Sequence, residues 1–268
     1  MRRRPANPFA CVRGYARGVG MSLSKSDPLA QALVEAIHAG EVDSLTGLLR
    51  EHPGLASAEL VDEKGGSGTP LHAAADWPGF FPRGQEVVAL LIGAGAGPNV
   101  PVQGRWHAET PLHWAASSDD VEVARALIDG GADLEATGGS IAGGTPLADA
   151  VGYGCWRVAR LLVDRGARVD RLWQAAALGM IARADELLAS GSHSQQDLTD
   201  AFWMACNGGQ RRMAEHLLAR GADLNGRPSW GGDSTPLDVA ESPADTGREA
   251  LLTWLGELGA TKSSAVTT

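Results

Sequence analysis

The chain has 268 residues, of which 44% are hydrophobic, so it can bury the core of one or two domains. Only 5% of the residues are aromatic and alternating β-branched runs are rare, which favours an all-α fold. Of the formal charge of −9, the first 22 residues contribute five arginines and no acid, so the rest of the chain carries −14. An acidic body argues against nucleic acid as a partner. The sequence contains no run of 18 apolar residues, so it predicts no membrane span.

The cysteines and the two ends of the chain suggest a cytoplasmic protein. The chain has three cysteines, Cys11, Cys155 and Cys206, which is an odd number, and none of them has CxxC spacing. Neither a disulfide framework nor a metal site is therefore expected. The basic residues 1–22 lack the apolar core of a secretion signal. They are expected to be a disordered leader, or to precede a true start at Met21. Residues 261–268 are expected to form a flexible tail.

The remainder, residues 27–260, reads as a series of helix pairs. Residues 27–58 predict two helices around Gly40, which would form an N-terminal cap. Thr-Pro-Leu then opens four similar phrases, at Thr69, Thr110, Thr145 and Thr235. With two weaker copies, the phrases predict repeats near 69–109, 110–144, 145–169, 170–196, 197–234 and 235–260.

Each repeat has a local physical basis. The threonine can cap a first helix and the proline suits the first turn, where its missing N–H leaves no bond unmade. A second helix ends at a glycine such as Gly131, a usual left-handed helix stop. Because one pair cannot bury its own apolar face, the pairs must stack on one another.

The phrases TPLHWAA with GGADLEA, TPLHAAA and ARGADLN resemble ankyrin repeats over about residues 30 to 260. The resemblance implies an elongated solenoid whose helix pairs are joined by β-turn fingers and whose concave face binds protein. The copies at 170–196 and 197–234 depart from the pattern. They lack TPLH, and Arg183 stands where the pattern has an apolar residue.

Two of the predicted fingers are short. Asp170 is four positions after Gly166 and Asp200 is nine positions after Gly191, whereas the other fingers span 14 or 15 positions. The short fingers either leave a notch that could serve as a pocket or reflect ordinary drift between repeats. The insert Asp76–Gly84 lengthens the first repeat by five residues, and either walls the groove or forms a plain surface loop.

Eight tryptophans against two tyrosines are an unusual balance for such a chain. Four are expected to pack between helices, and the others lie in the insert, the fingers or the groove, where they can anchor a partner. The four packing residues are Trp156, Trp173, Trp203 and Trp254. The predicted contact surface, on the concave groove and the fingers, comprises Asp76, Trp77, Trp106, His107, Glu109, Trp114, Ser117, Ser118, Asp149, Tyr153, Gln174, Met204, Asn207 and Trp230.

Catalytic signals are weak in this sequence. His72 and His113 belong to the TPLH phrase, where the imidazole bonds the local turn and neighbouring backbone, and Cys206 is expected to be an inert packing residue. The glycine-rich stretch 138–144 lies in a finger and does not match a phosphate-binding loop, and no nucleophile or metal motif is present. We therefore expect no catalytic residues, no cofactor and no metal.

The sequence predicts a monomeric, non-catalytic module that binds a protein or peptide partner, with its acidic groove favouring basic residues. Neither nucleic acid nor membrane is an expected partner. The alternative is a small-molecule binder, or a cofactor-free enzyme, that uses the notch above the short central fingers.

Overall fold

The computed structural model describes residues 20–104, 107–241 and 248–263 and shows a mostly helical chain. Fourteen helices in these residues follow one another as seven pairs. Their bounds are α1 (Pro28–Ala39), α2 (Val42–Glu51), α3 (Pro70–Ala74), α4 (Gly84–Gly93), α5 (Pro111–Ser117), α6 (Val121–Asp129), α7 (Pro146–Gly152), α8 (Trp156–Asp164), α9 (Leu172–Ala177), α10 (Ile181–Ser190), α11 (Gln195–Asn207), α12 (Arg211–Leu218), α13 (Pro236–Ala240) and α14 (Glu249–Glu257). The predicted boundaries between repeats stay a prediction.

The Thr-Pro-Leu phrases start helices in the way the sequence predicts. Thr69, Thr110, Thr145 and Thr235 are the N-cap residues of α3, α5, α7 and α13, and a proline follows each one. In α5 the backbone N–H of Thr110 donates to Nδ1 of His113 at 3.0 Å, and α3 repeats this bond with Thr69 and His72. The imidazole thus satisfies an N–H that the helix itself cannot bond.

The turn inside each pair keeps one register along the chain. Asp119, Gly154, Gly179 and Gly209 have φ between 55° and 72°, a region that favours glycine and that asparagine and aspartate tolerate. Each lies nine residues after the residue that corresponds to Thr110 in the same copy. This register identifies equivalent positions even in the copies that lack TPLH.

The helix pairs share one continuous apolar core. The leucine of each Thr-Pro-Leu phrase before residue 150 is fully buried, as are Val88, Leu127 and Leu162 on the second helices. Phe202 occupies the corresponding leucine position in α11 and is also fully buried. Burial of apolar surface between successive pairs is therefore what stabilises the stack.

A side-chain bond also joins neighbouring pairs. Nε2 of His72 lies 3.1 Å from the carbonyl oxygen of Glu109, and Nε2 of His113 lies 3.2 Å from that of Gly144. Both carbonyls directly precede the next capping threonine, so each imidazole bridges its own helix and the next finger. These bonds confirm the structural role expected for the two histidines.

Trp203 takes over this bridging role in α11. It stands in the histidine position, and its indole Nε1–H donates to the carbonyl of Ser234, just before Thr235, at 2.9 Å. Trp156, Trp173 and Trp254 pack against the core as predicted. A tryptophan can therefore replace the histidine between pairs while adding apolar contact.

We expect Trp203→Phe to lower the free energy of unfolding by about 1 kcal/mol, because it removes the bond to Ser234 and keeps most of the ring. Urea unfolding followed by circular dichroism measures the change. Trp254→Phe is the matched control, because no hydrogen bond of its indole is present in the described part of the chain. Equal losses in the two variants would contradict a role for the bond.

A small sheet was not predicted. Strand β1 (Ser22–Ser24) pairs in parallel with β2 (Glu59–Val61), which pairs antiparallel with β3 (Ser67–Gly68). The prediction that residues 1–22 are disordered is therefore wrong at its end. Ser22 lies in β1, and the carbonyl of Met21 accepts from Glu59 N–H at 2.9 Å. Residues 1–19 lie outside the described residues.

The predicted flexible tail is also wrong at its start. Thr261 N–H donates to Asn225 Oδ1 at 2.7 Å, and Ser263 N–H donates to Asp238 Oδ2 at 3.0 Å. These bonds hold the chain after α14 against the last finger and α13, and residues 264–268 lie outside the described residues. None of the described helices has both the length and the apolar character needed to cross a membrane.

Candidate functional site

Two exposed aromatic residues occupy the same position just after the first helices of their copies. Trp77, Ser118 and Tyr153 each lie five residues after the histidine position of their copy, at His72, His113 and Ala148. Trp77 is 80% exposed and Tyr153 is 53% exposed. Because the copies stack in order, these residues form a row along one edge of the solenoid, which we call the aromatic row.

The insert Asp76–Gly84 extends this row. Phe81 stacks on the imidazole of His38 at 4.1 Å between ring centroids, and Phe80 N–H donates to Asp120 Oδ2 at 2.6 Å. The guanidinium of Arg157 lies over the ring of Phe80 at 5.4 Å. The insert therefore lies across the cap and the next two pairs, with Trp77 and Phe80 exposed.

Beside the insert, a cavity of about 350 Å³ opens between α1, α3 and α5. Glu35 and His38 of α1 form one wall, and His72 and Asp76 form the other. Trp114 of α5 closes the third side, and Lys25 lies after β1. Leu60, Ser67 and Val102 contribute to the lining from the sheet side. We call this concavity the cap cavity.

Hydrogen bonds orient the aromatic wall of the cap cavity. The indole Nε1–H of Trp114 donates to Glu109 Oε2 at 3.2 Å, and the ring meets His72 edge to face at 5.0 Å. His38 Nε2 lies 3.0 Å from the carbonyl oxygen of Ala73. These contacts hold Trp114 and His38 in defined positions.

The contact surface predicted from the sequence begins at Asp76, whereas the lining of the cap cavity begins one helix pair earlier, in α1. Glu35 and His38 of the cap stand where Trp114 and Ser117 stand in α5. The signal was available, because Gly40 has φ 66° and Glu41 N–H bonds the carbonyl of Ala36, as Asp120 N–H bonds that of Ala115. Counting back from Gly40, rather than searching for TPLH, finds both residues.

Asp149 was predicted to face the groove, and this is wrong because it is fully buried. Its Oδ1 accepts from Ile141 N–H at 2.8 Å and from Ser140 Oγ at 3.4 Å, so the carboxylate fastens the finger at 138–144 to α7. Burial raises the pKa of Asp149 to about 6, and the charge of Glu109 adds to the rise. The hydrogen bond from Ile141 N–H lowers the pKa, but by less than burial raises it.

Gln174 and Met204 are also buried, at 4% exposure each, so neither contributes an open groove surface. Gln174 Oε1 accepts from the N–H groups of Asp170 and Arg171, both at 3.2 Å, and so replaces the capping bonds of the missing TPLH histidine. Met204 packs in the core beside the other side chains of α11.

The remaining predicted contact residues are spread over the surface. Ser117 and Ser118 are half-buried, and their hydroxyls donate to the carbonyls of His113 and Trp114. Asn207 is half-buried and His107 is exposed. The remaining two are Trp230, which is 55% exposed and meets Trp203 edge to face, and Trp106, which lies outside the described residues.

A second concavity, of about 770 Å³, lies above the short fingers. Its lining includes Trp173, Arg171 and Asp170. Several other charged groups there are already engaged: Arg168 binds Glu135 with Nε to Oε2 at 3.1 Å, and Asp200 accepts from Ser229 N–H at 2.9 Å. We call this concavity the notch.

Neither described cysteine is placed for chemistry. Both side chains are buried, and burial raises the pKa of Cys155 to about 11 and that of Cys206 further above its ordinary value. A thiol with a raised pKa is a poor nucleophile at neutral pH. Among the described residues no group of three His, Cys, Asp or Glu side chains is arranged to hold a metal ion.

The family comparison agrees with this helix-pair architecture. No curated protein matches the chain. Among solved structures, it is similar to the human ASB11 ankyrin repeat domain, with 22% identity, a TM-score of 0.49, and coverage of 82% of this chain and 96% of that one. The family model for ankyrin repeats (3 copies) matches residues 82–171, which hold α4 to α8 and the TPL openings of α5 and α7. Residues 82–171 are therefore identified as ankyrin repeats.

Proposed function

We propose that this protein binds a protein partner through an extended segment that lies along the aromatic row and reaches into the cap cavity. Ankyrin repeats are in general modules for protein–protein interaction, and this general role is the starting point. The proposal goes further by choosing the N-terminal half of the solenoid, from α1 to α8, as the contact surface.

The observation that carries the proposal is the exposure of Trp77 and Phe80 in the first copy and of Tyr153 in the third. Large aromatic side chains exposed together are costly in water and are typical anchors at protein interfaces. The contacts of Phe81 with His38 and of Phe80 N–H with Asp120 hold the insert in place. A partner would therefore meet a surface whose backbone is already ordered, which reduces the entropy cost of binding.

The test is selection of peptides from a displayed random library on the full-length chain, followed by affinity measurement by fluorescence anisotropy. We expect Trp77→Ala and Tyr153→Ala each to weaken the selected peptides about tenfold or more, with unchanged helix content. Both side chains are largely exposed, so their removal leaves the core intact.

Leu258→Ala is the matched control, because Leu258 is an exposed large apolar residue, at 43%, at the opposite end of the described chain. Its affinity for the selected peptides should equal that of the unaltered protein. Failure to select any peptide, or equal losses for Leu258→Ala and Trp77→Ala, would contradict the proposed surface.

A second candidate function is small-molecule binding in the notch. Its volume falls within the range of about 300–1,000 Å³ common for ligand pockets, and the ring of Trp173 and the side chain of Arg171 contribute to the lining. The test is a thermal-shift screen of a metabolite library. A hit should lose its stabilising effect in Trp173→Ala and keep it in Trp77→Ala, and the reverse pattern would exclude the notch.

A further inference from the structure

The charges of the cap cavity are not compensated within the described part of the chain. No ion pair there involves Glu35, Asp76 or Lys25. Two other carboxylates of the N-terminal half do form ion pairs: Glu86 pairs with Arg83 at 2.6 Å and Asp119 with Arg157 at 2.8 Å. The cap cavity therefore holds two carboxylates without an ion pair against one ammonium group and favours a cationic ligand. Asp76 Oδ1 accepts the N–H of Trp77 at 2.9 Å, which leaves its negative charge uncancelled.

The rest of the lining suits a long cationic side chain. Val34, Ala73 and Val102 provide apolar surface along which an aliphatic stem can lie, while the charged head meets the carboxylates. The volume of about 350 Å³ is at the lower end for ligand pockets, which fits one side chain of a larger partner.

The aromatic wall distinguishes arginine from lysine. Trp114 keeps its indole N–H on Glu109, and its half-buried ring lines the cap cavity beside His72, where a cation can contact it. A guanidinium is planar, can stack on such a ring, and can bind carboxylates through two parallel N–H donors, whereas an ammonium group is a compact and more strongly hydrated charge. Trp114 beside two carboxylates is thus better matched to arginine.

We propose that the cap cavity is a specificity site for an arginine side chain of the partner, held between Glu35 and Asp76 and against the ring of Trp114. This inference rests on the proposed function, because it assigns the residue that the bound segment would place in the cavity. Lys25, which is exposed, reduces the negative charge at the cavity without cancelling it.

The probe is the short peptide acetyl-Gly-Arg-Gly-amide, titrated into the full-length protein and followed through the Trp114 indole N–H signal in two-dimensional NMR. The signal is assigned with Trp114→Phe. We expect saturable shifts in the millimolar range, at least fivefold weaker binding of the lysine peptide, and no saturable shift with the neutral citrulline peptide.

The Glu35→Gln/Asp76→Asn double variant should bind the arginine peptide at least tenfold more weakly. Glu86→Gln is the matched control, because Glu86 is an exposed carboxylate outside the cap cavity, and its affinity should be unchanged. Unperturbed indole spectra in the free variants establish that they fold.

Equal responses to arginine and citrulline, or undiminished binding in the double variant, would overturn the arginine site. An equal response to lysine would overturn the selectivity. A failure here leaves the peptide selection on Trp77 and Tyr153 standing, because that test makes no assumption about the residue in the cap cavity. If the selection fails and the arginine peptide binds, the proposed surface is wrong and the cavity's preference holds.

Discussion

Phe202→Ala should lower the free energy of unfolding by about 3–5 kcal/mol, the usual range for removing a buried phenylalanine ring. Phe202 is the largest fully buried side chain of the described residues, and it stands where Leu71, Leu112 and Leu147 stand in the earlier copies. The helix that carries it, α11, packs against α9, α12 and α13. A cavity at this point therefore weakens contacts to both neighbouring pairs.

The loss should be local in space. In a stacked repeat protein each pair contacts only its neighbours, so a weakened contact can separate the unfolding of the two ends. We expect hydrogen exchange measured by mass spectrometry to show faster exchange from α9 to α14 while α1 to α6 stay protected.

Phe202→Leu is the control, because it gives α11 the residue found at this position in the other copies. It should cost less than half as much as Phe202→Ala, since most of the buried apolar surface remains. A uniform increase of exchange from α1 to α14 in Phe202→Ala would contradict local weakening and indicate that the solenoid unfolds as one unit.

The sequence predicts the fold of this protein well because its signals are local. Thr110, Pro111 and His113 determine a cap, a first turn and a bridge to the next finger with side chains that lie within four residues of each other. The weak copies obey the same geometry with other residues: Gln174 supplies the capping bonds, and Trp203 supplies the bridge. Such replacements become visible only when equivalent positions are known.

The contact surface is harder to predict because exposure depends on what the next finger covers. Trp114 and Asp149 occupy equivalent positions, yet Trp114 lines the cap cavity and Asp149 is sealed beneath Ser140 and Ile141. Periodicity gives the direction of a side chain from its own helix, whereas the path of an irregular finger depends on long-range contacts. The cap residue Glu35 was missed for a related reason, since its helix lacks the TPLH phrase.

The pH dependence of stability should reveal the buried carboxylate of Asp149. Its pKa is raised to about 6 in the folded protein, against an ordinary value of 3.8, so the folded state binds more protons than the unfolded state between these values. Stability contributed by the protonated form is fully present below about pH 3.8 and is lost as the pH rises through about 6. Between pH 4.5 and 7.5 the loss from this group is about 2 kcal/mol.

Asp149→Asn should remove this loss, because an amide stays neutral and its oxygen can still accept the Ile141 N–H. The measurement is the free energy of unfolding from urea titrations across this pH range. Between pH 4.5 and 7.5, the free energy of unfolding of the variant should rise by about 2 kcal/mol relative to that of the unaltered protein.

Neighbouring His113 acts in the opposite sense. Burial lowers the pKa of His113 below 6.5, and the hydrogen bond to the Gly144 carbonyl offsets only part of this effect. The contribution of His113 to stability therefore rises with pH, as the imidazole of the unfolded state loses its proton. Because both proteins contain His113, its effect largely cancels when the two curves are subtracted. Asp164→Asn, at an exposed carboxylate of α8, should leave the curve unchanged. If Asp149→Asn and Asp164→Asn give parallel curves, Asp149 is ionised with little cost, and the finger at 138–144 must be open enough to admit water.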